Sequence, residues 1–465
     1  VVVAAWAVHP ATGRREFSLV RESEEIQMGR EADPQISASL GLVDDADLQA
    51  YVSGIGMRLA EVSERRNLPW SFKVVDDPIV NAFALPGGFI YVTRGILAHF
   101  DSEAEMAGVL GHEIGHVTAR HSASQISRQQ LQQIGLGVGM IVSETVRDYG
   151  SLAAAGLQLM NLSYSRGDET QSDELGLRYI GRLGYEPEAM VGVFRMLAQA
   201  GGGAEGRIPE WQLTHPYPEN REQHIREEIV AQGIASGGRV GRDEYLDQID
   251  GLVYGEDPRQ GFFRETRFLH PDLAFELTFP PGWQTVNQRT LVAGVAPDER
   301  AVMVLEVVPE AGAPEAELRD FLAQQGISGG PVRDEAAVGV ELARATFTAT
   351  TQDGSLAGEV AFARRGDVVY RILGYASRAD WRTYSGAVAN AISSFAELTD
   401  PAALAVQPWR IDVVTLPSAT SLSTYLSTNP GPVDVEVLAR LNRVDAAEVL
   451  SAGTRIKRVE GTALP

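Results

Sequence analysis

A His-Glu-x-x-His pattern, His112-Glu-Ile-Gly-His116, lies in a stretch whose apolar residues recur at helical spacing. Ser102 precedes this stretch and Glu105 follows three residues later, which is the signature of a helix start with a capping box. Residues four apart lie on one face of a helix, so both imidazoles can bind the same metal ion. The pattern therefore predicts a helix that presents two histidine ligands from one face.

Glu113, beside the first histidine, supplies the second part of the chemistry that the pattern indicates. Neutral imidazole is a good ligand for Zn²⁺, and the metal lowers the pKa of its bound water from about 15.7 toward about 7. A carboxylate at this position is close enough to accept the proton of that water. We therefore predict one Zn²⁺ per chain, with His112 and His116 as ligands and Glu113 as the general base.

The third protein ligand must be a carboxylate or another histidine, because the chain contains no cysteine. Glu169 and Asp173 lie four apart on a second helical stretch and share one face. One of them can bind the metal while the other orients a histidine ligand by accepting its second ring N–H. From these residues alone, a solvated acidic face of the helix is an equally good interpretation.

Four separated motifs together resemble one protein family. The histidine pattern and Glu169-x-x-x-Asp173 are preceded by the stretch from Asn81 to Gly95 and followed by Thr214 to Arg221. In this order they resemble peptidase family M48, the zinc metallopeptidases that include the CAAX prenyl protease, the HtpX heat-shock protease and bacterial periplasmic quality-control proteases. The resemblance implies a mainly helical gluzincin-type domain with a small sheet.

The same resemblance implies roles for individual residues over roughly residues 14 to 230. Glu169 is then the third zinc ligand, and Asp173 orients His112. His215 and Arg221 are candidate catalytic residues near the metal.

Two roles for His215 stay open. It either donates a hydrogen bond to the oxyanion of the tetrahedral intermediate, supported by Arg221, or occupies the fourth zinc position until substrate displaces it. His99 and His121 are interpreted as surface or packing histidines.

The apolar segment from Asn81 to Leu85 is predicted to be a strand beside the catalytic helix. An extended peptide can add to the open edge of a strand through main-chain hydrogen bonds. We therefore take Asn81, Ala82, Phe83 and Ala84 as candidate substrate-binding residues. Core packing of Phe83 and Leu85 is the alternative, and both can hold because alternate residues face opposite ways.

The charge of the chain argues against two classes of partner. Its formal net charge is −22, whereas a nucleic-acid-binding protein needs a basic surface, and the same acidity opposes a strong hold on anionic lipid. No apolar run approaches the ~20 residues that span a bilayer, which leaves at most peripheral membrane association. The apolar stretch Val1 to Val8 is either a signal-peptide remnant or a short buried strand. The first interpretation predicts export to the periplasm or cell envelope, with the signal peptide removed.

Beyond about residue 256 the sequence alternates like strands with interleaved helices, typical of an α+β domain. Phe268 to Trp283 resembles the opening of PsbP/Mog1-like domains, which implies a binding or positioning role. From about Trp409 the order strand, helix, helix, strand resembles a LysM module, which implies either peptidoglycan as a partner or a plain accessory fold. We predict an α+β multidomain chain with a signal remnant at 1–13, a metallopeptidase domain at 14–255, an accessory domain at 256–400 and a LysM-like module at 401–465.

Two functions from different classes fit these features. The first is a zinc metalloendopeptidase that hydrolyses peptide bonds of misfolded or unassembled envelope proteins, its substrates being unfolded proteins and peptides. The second is a chaperone-like scaffold that binds client proteins with little turnover. Glu113 favours the first, because a general base serves catalysis and not binding.

Overall fold

The computed structural model describes residues 6–8, 10, 13, 15–17, 19–127, 163–200, 211, 214, 215, 220–337, 340–351 and 354–462. One unit contains the residues up to Glu256 together with Trp409–Thr462, and a second contains Asp257–Pro408. The predicted α+β multidomain class is confirmed, because the first unit is mainly helical with a small sheet and the second is rich in strands. Of the predicted signal remnant at 1–13, the described part includes the strand Trp6–Val8, which pairs antiparallel with Arg15–Phe17.

The elements are numbered here in chain order. The helices are α1 (Glu22–Leu40), α2 (Ala46–Glu61), α3 (Arg94–His99), α4 (Glu103–Thr118), α5 (Arg166–Arg182), α6 (Glu188–Ala200), α7 (Arg221–Ala231), α8 (Arg242–Ile249), α9 (Pro314–Leu322), α10 (Trp381–Ser393), α11 (Pro401–Leu404), α12 (Leu422–Thr428) and α13 (Val435–Asn442). The strands are β1 (Trp6–Val8), β2 (Arg15–Phe17), β3 (Ser71–Val75), β4 (Ala82–Leu85), β5 (Phe89–Thr93), β6 (Val253–Tyr254), β7 (Phe262–Arg264), β8 (Arg267–His270), β9 (Phe275–Thr278), β10 (Gln284–Gln288), β11 (Leu291–Val295), β12 (Ala301–Val308), β13 (Ile327–Gly329), β14 (Arg333–Ala337), β15 (Val340–Thr351), β16 (Gly354–Arg365), β17 (Val368–Ser377), β18 (Ala396–Glu397), β19 (Trp409–Thr415), β20 (Thr420–Ser421), β21 (Val449–Leu450) and β22 (Arg455–Glu460).

A three-stranded sheet in the order β3-β5-β4 lies next to helix α4 in the first unit. Strand β5 runs parallel to β3 and antiparallel to β4. The predicted turn between β4 and β5 contains Gly87 at φ +85° and Gly88 at φ +102°, a backbone region that glycine enters without steric cost. Among the described strands, the order places β4 at one end of the sheet and β3 at the other.

Helix α4 begins where the sequence predicts, but the capping box is only half formed. Ser102 Oγ accepts a hydrogen bond from the N–H of Glu105 at 3.3 Å. The Glu105 carboxylate turns instead to the N–H of Asp101, at 2.7 Å, and to the guanidinium of Arg443. The capping-box prediction is wrong in this respect because a side chain 338 residues away draws the carboxylate aside.

Helices α4 and α5 cross at backbone contact distance. A Cβ atom added to Gly176 would lie 2.8 Å from the backbone nitrogen of His112 and 2.9 Å from the carbonyl carbon of Gly111. A Cβ atom added to Gly115 would lie 2.9 Å from the carbonyl oxygen of Ser172. Glycine at these positions therefore permits the approach that brings the side chains of the two helices together.

Residues 409–462 pack into the first unit. Ile411, Leu441 and Val459 belong to the same buried apolar cluster as the side chains of α4. Strand β19, helices α12 and α13 and strand β22 follow the predicted order of strand, helix, helix, strand.

Lys457 on β22 is fully buried. Its Nζ donates to the carbonyl of Ala98 at 3.2 Å and to that of Phe100 at 2.8 Å, both just before α4. The C-terminal segment is thus bonded to the backbone that leads into the helix of the histidine pattern.

The segment that packs with the first unit begins at Trp409. The preceding Ala403 and Val406 share a buried cluster with Phe262, Leu269 and Leu398 of the second unit. Burial of these side chains holds residues 403 and 406 to the second unit.

The second unit contains an antiparallel sheet in the order β10-β11-β12-β17-β16-β15-β13, with β14 also paired to β15. Helix α9 packs Leu318 against a cluster that contains Val360, and helix α10 packs Val388 against a cluster that contains Ala361. Because adjacent residues of β16 face opposite ways, the two helices cover opposite faces of the sheet. A smaller sheet has the order β18-β9-β8-β7. Within the described ranges, no helix combines the length and apolar character that crossing a membrane requires.

Candidate metal centre

Four side chains with metal-binding atoms meet between helices α4 and α5. His112 and His116 lie on α4, Glu169 lies on the first turn of α5, and His215 lies shortly before α7. One ligand atom from each of the four lies within 4.8 Å of the others, and all four side chains are buried. The structure therefore brings the three predicted ligands together and adds His215 to them.

The donor atoms face one another at short range. The Nε2 atoms of His112 and His116 are 3.0 Å apart. Glu169 Oε1 lies 3.3 Å from His116 Nε2 and 2.9 Å from His215 Nδ1, while Oε2 lies 3.5 Å from His112 Nε2. His215 Nδ1 is also 3.3 Å from His112 Nε2. Three ring nitrogens and one carboxylate thus converge on one point.

Asp173 holds the far side of the His112 ring. Its Oδ1 accepts from His112 Nδ1 at 2.8 Å, which leaves Nε2 facing the other donors. Arg221 donates to both oxygens of Asp173, from Nε and from Nη2, each at 2.7 Å. The guanidinium lies over the ring of Phe194, 4.2 Å from its centroid, and 5.1 Å from that of Trp211. Arg221 therefore fixes the carboxylate that fixes His112.

Glu113 lies beside the cluster as a fully buried carboxylate. Neither of its oxygens has a hydrogen-bond partner among the residues that the structure describes, and His215 Nε2 lies 3.6 Å from Oε1. Burial raises the pKa of this carboxyl above its usual range, against the opposing effect of His215 and His112. A buried carboxylate without hydrogen bonds is costly, so its place beside four ligand atoms fits a site that takes a cation and a polar reactant.

Burial and charge pairing shift the pKa values of the ligands in different directions. Burial opposes ionisation of Glu169, but His215, His112 and His116 outweigh it and hold the pKa well below its usual range. Burial lowers the pKa of His116. Burial acts in the same direction on His112, but hydrogen bonds to Asp173 and Glu169 outweigh it and raise the pKa to about 9. An ionised Glu169 beside a neutral His116 is the state in which both can bind a metal ion.

Two aromatic rings that the sequence did not single out cover the histidines. Trp211 stacks on His215 with ring centroids 4.6 Å apart and planes at 17°. Tyr164 stacks on His116 at 3.9 Å and 27°, and its hydroxyl lies 3.0 Å from Ser122 Oγ. Neither aromatic residue belongs to the His-Glu-x-x-His pattern, so the sequence pattern does not predict these contacts.

His121, which the sequence interpretation left without a role, contacts the site directly. Its Nδ1 lies 2.9 Å from Nδ1 of His116. A spacing of five residues would point the two rings apart on a continuous helix. A turn at residues 119–120, where Arg120 adopts φ +59°, interrupts the helix and brings His121 back to His116.

The predicted substrate-binding residues lie on and just before the terminal strand β4. Asn81, Ala82, Phe83 and Ala84 are all buried. Phe83 stacks on Tyr91 at 4.9 Å in one apolar cluster, whereas Ala82 and Ala84 belong to the cluster that contains α4. Both faces of the strand are used in packing, so a role in binding substrate would rest on its backbone.

The donor set fits a divalent transition-metal ion. Imidazole nitrogens and a carboxylate oxygen are the ligands that such ions take in proteins without thiolates. The buried Glu113 carboxylate and the second-ring contact of His112 with Asp173 are the surroundings that catalytic metal sites show. The structure thus has a candidate metal site of three histidines and one glutamate.

Comparison with known proteins shows which family model and which relatives the chain is similar to. Residues 46–229 match the model of peptidase family M48. The chain is 32% identical over 222 residues to the beta-barrel assembly-enhancing protease of Escherichia coli K12, covering 46% of this chain and 45% of the relative. It is 31% identical over 238 residues to the mitochondrial metalloendopeptidase OMA1 of Arabidopsis thaliana, covering 49% and 47%. With OMA1 of Schizosaccharomyces pombe the identity is 30% over 228 residues, covering 47% and 65%.

The chain spans about half the length of the first of these curated relatives. Among solved structures, it is similar to the cyanobacterial PsbP (CyanoP) of Synechocystis sp. PCC 6803, with 10% identity and a TM-score of 0.24 over 28% of this chain and 91% of that chain.

Proposed function

We propose, on the premise that residues 46–229 are a peptidase family M48 domain, that the chain is a zinc-dependent metalloendopeptidase. It hydrolyses peptide bonds of misfolded or unassembled envelope proteins. The observation that carries the proposal is the convergence of His112, His116, Glu169 and His215 beside the buried carboxylate of Glu113.

Each predicted residue has a place in this reaction. His112, His116 and Glu169 would hold Zn²⁺, which would supply Lewis-acid activation of water and of the substrate carbonyl. Asp173, held by Arg221, keeps the His112 ring turned toward the ligand set. Glu113 takes the proton of the attacking water and gives it to the leaving amine. Burial raises the pKa of this carboxyl toward the range in which a general base works at neutral pH.

His215 is proposed to fill the fourth ligand position until substrate displaces it. The distances of its Nδ1, 2.9 Å to Glu169 and 3.3 Å to His112, support this role over hydrogen bonding to the oxyanion. Arg221, the proposed support in the oxyanion alternative, donates to Asp173. His215→Ala separates the two roles: raised basal activity supports the first, whereas lost activity with metal retained supports the second.

The proposed substrates are extended or unfolded polypeptides. Strand β4 is at one end of its sheet in the part of the chain that the structure describes, and it lies against α4, which carries the histidines. A peptide that adds to this strand through main-chain hydrogen bonds would lie beside the metal centre. Asn81, Ala82, Phe83 and Ala84 supply the backbone for this contact. Most backbone groups of a folded protein are already paired internally, so unfolded chains are favoured.

Digestion of casein by the purified chain tests the proposed activity. Wild-type protein with Zn²⁺ should cleave casein, and a chelator should stop the reaction until Zn²⁺ is restored. Glu113→Gln should abolish cleavage while the zinc content stays at one per chain, because the side chain is not a ligand. Glu61→Gln, at an exposed position at the end of α2, is the matched control and should cleave like the wild type.

Cleavage that survives chelation or Glu113→Gln would contradict the metal mechanism. A wild-type chain that captures denatured casein without cutting it would support the chaperone-like scaffold with little turnover.

A location in the periplasm or cell envelope, where the proposed substrates would be found, is part of the same proposal. Peptidoglycan binding by residues 401–465 has no support from the contacts of this segment and is not part of the proposal.

A further inference from the structure

His121 contacts His116 on the side of its ring that faces away from the other candidate ligands, and it also contacts helix α5. Its ring is buried and nearly perpendicular to that of His116, with planes at 74° and centroids 5.0 Å apart. The Nδ1 atoms of the two rings are 2.9 Å apart, and His121 Nε2 lies 2.9 Å from Gln171 Oε1. Ser172 Oγ lies 3.3 Å from His121 Nδ1. His121 therefore contacts both helices that supply the metal ligands.

With a metal ion bound at His116 Nε2, these contacts assign the protons of both rings. His116 turns Nε2 toward His112 Nε2 and Glu169, so Nε2 must be unprotonated to bind a metal, and the proton of the neutral ring is on Nδ1. That N–H donates to Nδ1 of His121, which is then an acceptor. The proton of His121 must lie on Nε2, where it donates to Gln171 Oε1. Ser172 Oγ is farther from this nitrogen, at 3.3 Å against 2.9 Å for His116 Nδ1, so His116 is the closer donor to its single lone pair.

We propose that His121 is a positioning residue that fixes the orientation and tautomer of the ligand His116; the inference rests on the zinc site of the proposed function. The two histidine ligands are thereby supported differently. His112 is backed by the ion-paired carboxylate of Asp173, and His116 by a neutral imidazole. Partners of this kind commonly contribute 10- to 100-fold to metal affinity, about the loss expected on their removal.

Three substitutions of His121 test whether the residue positions His116, because they differ in whether a hydrogen-bond acceptor remains near the position of Nδ1. An asparagine places its side-chain oxygen near the position of Nδ1, whereas a glutamine reaches the position of Nε2. His121→Asn should keep an acceptor for His116 and bind Zn²⁺ within several-fold of the wild type. His121→Ala and His121→Gln should bind about 10- to 100-fold more weakly, since they lose the acceptor. Zinc affinity is measured by competition with a chromophoric chelator, and the absorption of the Co²⁺-substituted protein reports ligand geometry.

His99→Asn is the matched control, because the His99 ring lies in the same unit and faces the carbonyl of Gly95 instead of a ligand. Its zinc affinity and Co²⁺ spectrum should equal those of the wild type. Equal affinities for wild type and His121→Ala, or equal losses for His121→Asn and His121→Ala, would overturn the role of His121. A wild-type chain that binds no Zn²⁺ in the same titration would instead refute the proposed function.

Discussion

Alanine in place of Gly176 should disrupt the metal centre by moving backbone, without removing any polar group. The added Cβ would lie 2.8 Å from the nitrogen and 3.2 Å from the Cα of His112, and 2.9 Å from the carbonyl carbon of Gly111. These are backbone atoms of α4, so no side-chain rotation can relieve the overlap. Ordinary contact needs about 3.4 Å, so the helices must separate by about 0.6 Å at this point.

A separation of this size exceeds what metal coordination tolerates. His112 and His116 lie on one side of the crossing and Glu169 on the other, while ligand distances are tolerated within about 0.2 Å. We expect zinc affinity to fall at least about tenfold. Overpacking should cost about 1–3 kcal/mol of unfolding free energy, partly offset by the helix preference of alanine, about 1 kcal/mol.

Chelator competition and thermal unfolding measure the two effects of Gly176→Ala. Gly167→Ala on the same helix is the matched control, because its Cβ would lie 3.8 Å from Ser165 Oγ, an ordinary contact. The control should leave zinc affinity unchanged and leave stability unchanged or raised by up to about 1 kcal/mol. The same zinc affinity and the same melting temperature for both variants would contradict the predicted effect of the Gly176 Cβ.

Buried charges give three more expected outcomes. Arg221→Lys should weaken zinc binding about tenfold in chelator competition, because an ammonium cannot make the two parallel bonds to Asp173; unchanged affinity would show that the guanidinium is dispensable. Arg443→Ala should lower the unfolding free energy by about 1–3 kcal/mol in thermal denaturation, because Glu105 loses its ion-pair partner and, among the described residues, keeps only the N–H of Asp101; an unchanged melting temperature would contradict this. Burial lowers the pKa of Lys457 to about 8, below its value of about 10.4 in an unfolded chain. Between these two pH values the native state binds fewer protons than the unfolded state, so its stability rises with pH. In urea titrations the stability of wild type relative to Lys457→Met should therefore rise by up to about 3 kcal/mol between pH 7 and pH 10.5, and a constant difference would argue against a depressed pKa.

The amino-acid sequence by itself determined the features that depend on residues near one another in the chain. The i,i+4 spacing of His112 and His116, and of Glu169 and Asp173, places each pair on one helical face whatever surrounds it. The α+β class likewise follows from local periodicity. Even so, the assignment of Glu169 as ligand and Asp173 as the partner of His112 needed the family resemblance. A metal-binding face and a solvated acidic face of a helix have the same local sequence pattern.

Only the tertiary structure decided which distant side chains join these pairs. His215 reaches His112 across 103 residues, and Arg443 reaches Glu105 across 338. His121 returns to His116 through a turn at Arg120 that local periodicity does not predict. Such contacts depend on how the helices pack, because their free energy comes from burial and hydrogen bonding between distant segments of the chain. Local sequence periodicity does not show which of these segments meet. The pattern of the chain thus predicted a metal site, and packing determined which distant side chains, His215, His121 and Arg221 among them, lie against it.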